Sequence, residues 1–412
     1  MKKNIYFLFM FIFPFFIQAE EGKILRFKYK ENDNFRILST VNEIVKVNGI
    51  PNHKAEIVNR ISMKITKVNE DNSAEHEATF MTSENSIGSR TGTNFSWGEE
   101  YKSKFTRSKN GNYDIDNIYF MPVVRDVPTF PDYPIKPGDK WTAIGHEAHD
   151  LRRTFNISTP YKVPFSAEYT YIKDEEGISS DSSKEKKVFQ IINVKYSLFY
   201  ESPIPNGTTA IDYPQTTMGY SNQTIWWDNE KGQIDHYTEN FRILIETVRG
   251  NQFDFSGTSR AENTEFKRIA TEENLVNVLQ KVEDLGLEDI SVTKSEKGLT
   301  ISLENIQFEA DSAILRKTEQ NKIQKISQIL SSYPDNDLLI TGHTARVGSE
   351  ESCQILSEER ANAVANFLIQ LGVKDKYHIF TQGFGSKIPI ASNMNETDKS
   401  KNRRVEITIL DN

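Results

Sequence analysis

The chain predicts a two-part architecture. An antiparallel β-rich N-terminal region, either a sandwich or an open barrel, precedes a C-terminal α+β domain of β-α-β-α-β order. Three observations predict it. From Lys23 to about Phe266 the apolar residues recur with a period of two. Short turn-forming clusters separate those runs, which favours sequential antiparallel pairing. After Phe266 the period changes to that of amphipathic helices.

The first nineteen residues read as a secretory signal. Met1-Lys2-Lys3-Asn4 is a short basic start, Ile5 to Ile17 is apolar and rich in phenylalanine, and Ile17-Gln18-Ala19 offers a small residue at the cut. The apolar run is too short to span a membrane comfortably, and Pro14 interrupts it. Export is therefore expected, with the mature chain in the periplasm or associated with the outer membrane. The formal net charge is −8, and removing two lysines with the signal makes the mature chain more acidic. That balance excludes a broad basic face for nucleic acid. The lone Cys353 permits no internal disulfide, so folding rests on core burial.

Within the β-rich region, Ala55, Ile57, Ile61, Met63 and Ile65 alternate with Lys54, Glu56, Arg60, Ser62 and Lys64, which predicts a long strand with one wet face. Further strands are expected at 35–47, 188–200, 224–228 and 236–248. Asn48-Gly49, Asp71-Asn72, Asn110-Gly111 and the stretch from Asp228 to Gly232 supply the turns. A proline-rich stretch between 122 and 139 either divides two lobes or crosses the end of one large sheet. Dense charge on one strand face fits a water-soluble region better than a membrane β-barrel, whose strands need a lipid-facing apolar row. The expected division is 1–19 signal, 20–265 β-rich region and 266–412 C-terminal domain.

In that last third, Leu275, Val278, Leu279, Val282 and Leu285 mark one helix, and Gly286 is placed to end it. Strands follow at 290–293 and 299–308. Ile323, Ile326, Ile329 and Leu330 mark a second helix, and Leu338-Leu339-Ile340 a short buried strand. A helix over 350–371 and strands at 378–383 and 404–410 complete a small mixed sheet with helices on one side.

Fixed spacings run through this third. Gly342-His343-Thr344, Leu356-Ser357 with Arg360-Ala361, Gly383-Phe384-Gly385, Pro389-Ile390 and Asn402-Arg403-Arg404-Val405 follow one another, with Phe308 and Asp311-Ser312-Ala313 upstream. The succession resembles the OmpA-like peptidoglycan-associating domain over roughly residues 270–412. The resemblance implies a non-enzymatic domain that takes the peptidoglycan stem peptide through Arg360, Thr344, Gly348, Leu356, Ser357, Asn402 and Arg404, with no metal or cofactor. Arg360 would clamp a carboxylate of diaminopimelate, a task suited to a planar guanidinium fork. The family aspartate that receives the ligand ammonium falls on Ala345, which cannot do so, and Cys353 stands where the family commonly has asparagine. Recognition of diaminopimelate is therefore expected to be weakened or altered.

Helix geometry independently draws attention to Arg360. With Leu356 at 0° and about 100° per residue, Phe367 falls near 20°, Arg360 near 40°, Leu371 near 60° and Val364 near 80°. That places a guanidinium within the expected apolar stripe, where it needs a partner. Arg403 and Arg404 must face opposite sides of a strand, and Arg404 is expected to be the less exposed. His343, without a nucleophile beside it, reads as a hydrogen-bonded structural histidine. His146 and His149 are three apart on an expected strand, which sets them on opposite faces and argues against a zinc pair.

The function these features favour is an exported envelope protein that associates with peptidoglycan or a related wall component. Its β-rich region would contact other envelope proteins. Two alternatives remain open at this level: a periplasmic ligand carrier whose C-terminal domain no longer binds the wall, and an outer-membrane barrel with a periplasmic wall anchor.

Overall fold

The computed structural model describes residues 21–87, 95–181, 183–203, 212–265, 268–309 and 312–411. The expected signal and Asp311 lie outside the described residues. The period-two region forms β1 (Asn34–Val47), β2 (Ile50–Val68), β3 (Ala74–Ile87), β4 (Phe95–Ser96), β5 (Glu99–Arg107), β6 (Tyr113–Ile115), β7 (Val124–Arg125) and β8 (Lys140–His149). After a single helical turn, α1 (Arg152–Phe155), come β9 (Tyr161–Ile178), β10 (Lys186–Glu201), β11 (Pro214–Asp228), β12 (Gln233–Thr247) and β13 (Gln252–Glu265). All except β4 join one antiparallel sheet, in the order β6, β5, β3, β2, β1, β13, β12, β11, β10, β9, β8, β7. β1 and β13 pair in the middle of this sheet, and its edge strands β6 and β7 approach each other, so the sheet curls into a nearly closed barrel. Its edges are stitched at one end, where the Tyr113 N–H donates to Asp126 Oδ1 at 2.7 Å and the Phe130 N–H to the Asn110 carbonyl at 2.9 Å.

An extended segment at 23–32 crosses that end. Phe27 donates its N–H to the Lys109 carbonyl, and Lys28 donates to the Gly232 carbonyl. Phe27 also meets Trp227 edge-on at 4.8 Å, with the Arg107 guanidinium 3.8 Å from its ring. The proline-rich stretch contains the edge strand β7 and leads into its neighbour β8, within this one sheet. The adjacent tryptophans divide by strand parity, with Trp227 fully buried and Trp226 stacked on His236.

The C-terminal third contributes α2 (Glu272–Asp284), β14 (Ile290–Lys294), β15 (Gly298–Leu303), α3 (Lys317–Leu330), β16 (Leu338–Gly342), α4 (Glu350–Gln370), β17 (Ile379–Gly383), α5 (Glu396–Asn402) and β18 (Val405–Leu410). Thr271 caps α2 by accepting from the Asn274 N–H, and Gly286 lies beyond its end at φ +57°. The expected strand at 299–308 ends instead at Leu303, and α5 is an element that the period did not predict, because its seven polar residues carry no apolar stripe. The strands order as β14, β15, β18, β16, β17, with β16 and β17 parallel. One face packs Leu299, Ile301, Ile340 and Ile407 under Val278, Ile326 and Val364 of the three long helices.

The opposite face is covered over its central strands. Leu339, Phe380 and Leu410 pack on Val58, Met81 and Phe95 of the β-rich region, each buried side chain of this size stabilising by about 1.5–3 kcal/mol. β4 leaves the barrel and adds to β17 as a parallel sixth strand, and the Trp97 N–H donates to the Thr381 carbonyl at 2.7 Å. At the head of β16, Asp337 is fully buried and accepts from Arg36, from Arg60 at 3.0 Å and from His378 at 2.7 Å. This corrects the wet face expected of β2. Arg60 stands among its outward residues, yet it is covered by the second sheet and 9% exposed.

Candidate functional site

The spacings noted in the sequence converge at the C-terminal ends of β16 and β17. The reason for the glycines is steric. A Cβ on Gly342 would lie 2.0 Å from the Ser357 carbonyl oxygen, and one on Gly383 would lie 2.5 Å from Ser357 Oγ. Only glycine lets α4 sit this close to the strand ends. Ser357, fully buried, then donates to the Gln354 carbonyl at 2.7 Å and accepts from the Gly385 N–H at 2.9 Å.

From this contact the loops are knitted together. Phe384 donates its N–H to the Gly342 carbonyl at 3.0 Å, Thr344 to Gly385 at 2.8 Å and His343 to Arg404 at 2.9 Å. Asn402, fully buried, accepts from the N–H groups of Ile390 and Ala391 and donates back to the Ala391 carbonyl. Asn393 accepts from the Asn402 amide and from the Arg346 N–H at 2.9 Å, tying the 343–348 loop to the 388–393 loop. Gly348 turns the first loop at φ +83°, and Ser349 caps α4 by accepting from the Ser352 N–H. Val347, Ile388, Ile390 and Met394 are exposed on these two loops.

Arg404 is 2% exposed and donates from Nε to Glu406 at 2.7 Å, while Arg403 reaches outward to Glu396. Burial favours the neutral acid at Glu406, but His343 and Arg404 outweigh it and hold the carboxyl below its usual range. Burial pushes the His343 imidazole down, and its ring stacks on Phe384 at 5.3 Å.

Arg360 is half-buried on α4, and its guanidinium lies 4.8 Å from the Phe308 ring. The helix geometry requires a correction. The buried residues of α4 are Cys353, Ser357, Ala361, Val364, Ala365 and Leu368, which centre about 110° from Leu356. Arg360 therefore stands on the flank of the buried face, and Leu356 beside it is half-buried. Close packing on Gly342 and Gly383 brings Ser357 against the strand ends and draws Ala361 and Ala365 into the buried face, whereas the sequence reading weighted only the large residues.

The two departures from the family pattern are neighbours. Ala345 is 3% exposed, and the buried Cys353 thiol points at the Ala345 carbonyl, 3.7 Å away, and at the Val347 carbonyl, 3.2 Å away. Sequence reasoning missed Glu406 and Asn393. Glu406 was readable from its two-residue spacing to Arg404, which puts both on one strand face; Asn393 carries no such signal.

The OmpA family matches residues 307–403. The C-terminal third is an OmpA-like domain. A probable lipoprotein, YiaD of Escherichia coli K12, is 37% identical over 121 residues, covering 29% of this chain and 55% of the relative. The peptidoglycan-binding protein ArfA of Mycobacterium bovis is 39% identical over 104 residues, covering 25% of this chain and 32% of its own. The chain thus spans about half or less of these curated relatives. An outer-membrane protein structure from Borrelia burgdorferi B31 is 42% identical, covering 30% of this chain and 97% of that one, with a TM-score of 0.26.

Among the described residues, no three histidine, cysteine, aspartate or glutamate side chains gather as a metal site. His146 pairs with Asp126 and His149 with Glu147.

Proposed function

We propose that this is an exported, non-enzymatic envelope protein whose OmpA-like domain, within 266–412, associates with peptidoglycan or a related wall component. One observation carries the reading. The family loops at 343–348 and 384–393 are locked by Asn402, Asn393 and Ser357 into one surface, and Arg360 lies on the adjoining helix flank beside Phe308. A preorganised frame of this kind lets one guanidinium engage a carboxylate with little ordering cost. Thr344, Gly348, Ser357, Asn402 and Arg404 serve mainly to hold the frame, and Arg360 with Leu356 offers the accessible surface. Residues 1–19 would direct export, and 20–265 would form the β-rich unit. Outward pairs such as Lys104–Glu77 and Lys186–Glu176 support a water-facing exterior for that unit rather than a lipid-facing one.

Diaminopimelate recognition is altered at the Ala345–Cys353 pair. Without the family aspartate the ligand ammonium loses a charged hydrogen bond, worth about 1.5–3 kcal/mol, or roughly ten- to a hundred-fold in affinity. A wall built with another diamino acid would not need that contact. Because position 345 is buried against Cys353, restoring the aspartate calls for Ala345→Asp both alone and with Cys353→Asn. Co-sedimentation of the mature protein with purified peptidoglycan tests the whole reading. The wild type should pellet, and Arg360→Ala should not. A wild type that stays in the supernatant at low salt sinks wall binding. No gain by either aspartate variant on diaminopimelate-containing muropeptides sinks the role given to position 345.

A further inference from the structure

The barrel of the β-rich region is hollow. A cavity of about 970 Å³ lies inside it, close to the upper end of the range for small-molecule sites, about 300–1,000 Å³. Its wall is largely apolar and includes Ile37, Ile57, Ile61, Met63, Phe80 and Phe105. Phe35, Ile37, Val41, Ile57, Phe241 and Ile243 all stay half-buried although they line the interior. An apolar void of this size forfeits packing contacts along its whole lining, so an apolar occupant would restore them.

The shape restricts that occupant. Every second residue of β1 from Phe35 to Glu43 lines the cavity, a run of about 26 Å at 3.3 Å per residue. A cavity that follows β1 over that length suits an extended chain. Phe27, with Arg107 above its ring, closes one end.

The polar groups restrict its head. Glu147 and Glu239 both line the cavity. Glu147 accepts from Tyr196 Oη at 3.0 Å and lies 3.1 Å from His149 Nε2. Glu239 accepts from Ser221 Oγ at 2.6 Å and Gln223 Nε2 at 3.1 Å. Among the described residues, no lysine or arginine pairs with either carboxylate. Burial pushes the Glu239 carboxyl up, and the Glu147 charge adds to the effect. Lys28, Arg107 and Lys231 also line the cavity but engage the Asn229 carbonyl, the Phe27 ring and Asp181, so the two carboxylates, without a lysine or arginine partner in a low-dielectric wall, favour a positively charged ligand group.

We propose that the barrel cavity binds a single-chain amphiphile with a protonated amine head, its chain along β1 and β2 and its ammonium between Glu147 and Glu239. The site lies in the β-rich region and is independent of wall binding. The test uses the full mature protein, stripped of lipid on a hydrophobic resin, with N-phenyl-1-naphthylamine as a fluorescent occupant. Dodecylamine, dodecanoic acid and dodecan-1-ol compete below their aggregation thresholds. Dodecylamine should displace the probe at least tenfold more effectively than the acid or the alcohol. Glu147→Gln with Glu239→Gln should erase that preference, and Ile61→Trp should weaken probe binding at least tenfold while leaving wall sedimentation unchanged. If Ile61→Trp loses its circular dichroism spectrum, Ile37→Trp takes its place. Equal displacement by the three heads, or preference for the acid, overturns the amine assignment. Probe binding that is absent, or indifferent to the filled cavity, overturns the site.

Discussion

Replacing Asp337 by alanine removes the carboxylate on which the two sheets meet. It is fully buried and accepts from Arg36, which is 3% exposed, and from Arg60, which is 9% exposed, as well as from His378. The variant leaves two guanidinium groups side by side at a dry interface without this counter-charge. Breaking a buried pair from one side costs about 3–5 kcal/mol, and the second arginine places the expected loss at the upper end. The Lys376–Glu56 pair on the same interface, 2.6 Å long with a lysine more than a third exposed, is a contrast: Glu56→Gln should cost no more than about 1 kcal/mol. Urea unfolding followed by tryptophan fluorescence would measure both, and limited proteolysis would report whether the domains separate. The pH dependence adds a sign. Burial opposes ionisation of Asp337, but Arg36, His378 and Arg60 hold its carboxyl far below the ordinary 3.8. Its contribution is therefore complete above about pH 4 and is lost as pH falls through the folded value. The gap between wild type and Asp337→Ala should be constant from pH 6 to 8 and should narrow in acid. A loss under 1 kcal/mol at pH 7, or a gap that widens in acid, would refute the reasoning.

Three further outcomes follow from the geometry. Asn402→Ala removes the acceptor for two loop N–H groups and should cost about 1–3 kcal/mol, with faster amide exchange confined to 388–393; unchanged exchange there would contradict its clamping role. Gly342→Ala drives a methyl to 2.0 Å from the Ser357 carbonyl and should lower stability by about 1–3 kcal/mol or more, so an unaltered melting temperature would rule out the close helix–strand contact. Glu43 has its carboxyl raised from 4.5 to about 7 by burial and by the nearby Glu84 charge. A raised carboxyl favours the folded state least once it must ionise, so stability should fall as pH rises from about 4.5 to 7. Glu43→Gln should lack that slope in melting curves taken from pH 4 to 8, and parallel slopes would count against the shift.

What the sequence determined by itself is local and periodic. Alternation along 54–65 gives a strand and names the inward row, the stripe of Leu275 to Leu285 gives a helix, and the glycines at 342 and 383 fix a close approach. Each of these depends on residues a few positions apart. The spacing pattern likewise marked Ser357, Asn402 and Arg404, although their shared role as a frame appears only once the loops close on one another. The tertiary structure alone decided what covers each face. Arg60 alternates outward like any solvated residue, and its partner Asp337 is 277 positions away. The buried face of α4 took in its small residues because two glycines on other strands draw the helix in. An inward apolar row has the same pattern whether the barrel is filled or hollow, so the cavity could not be read from it. Alternation records which way a side chain points; only the packing of distant strands settles whether it meets water, another domain or an open interior.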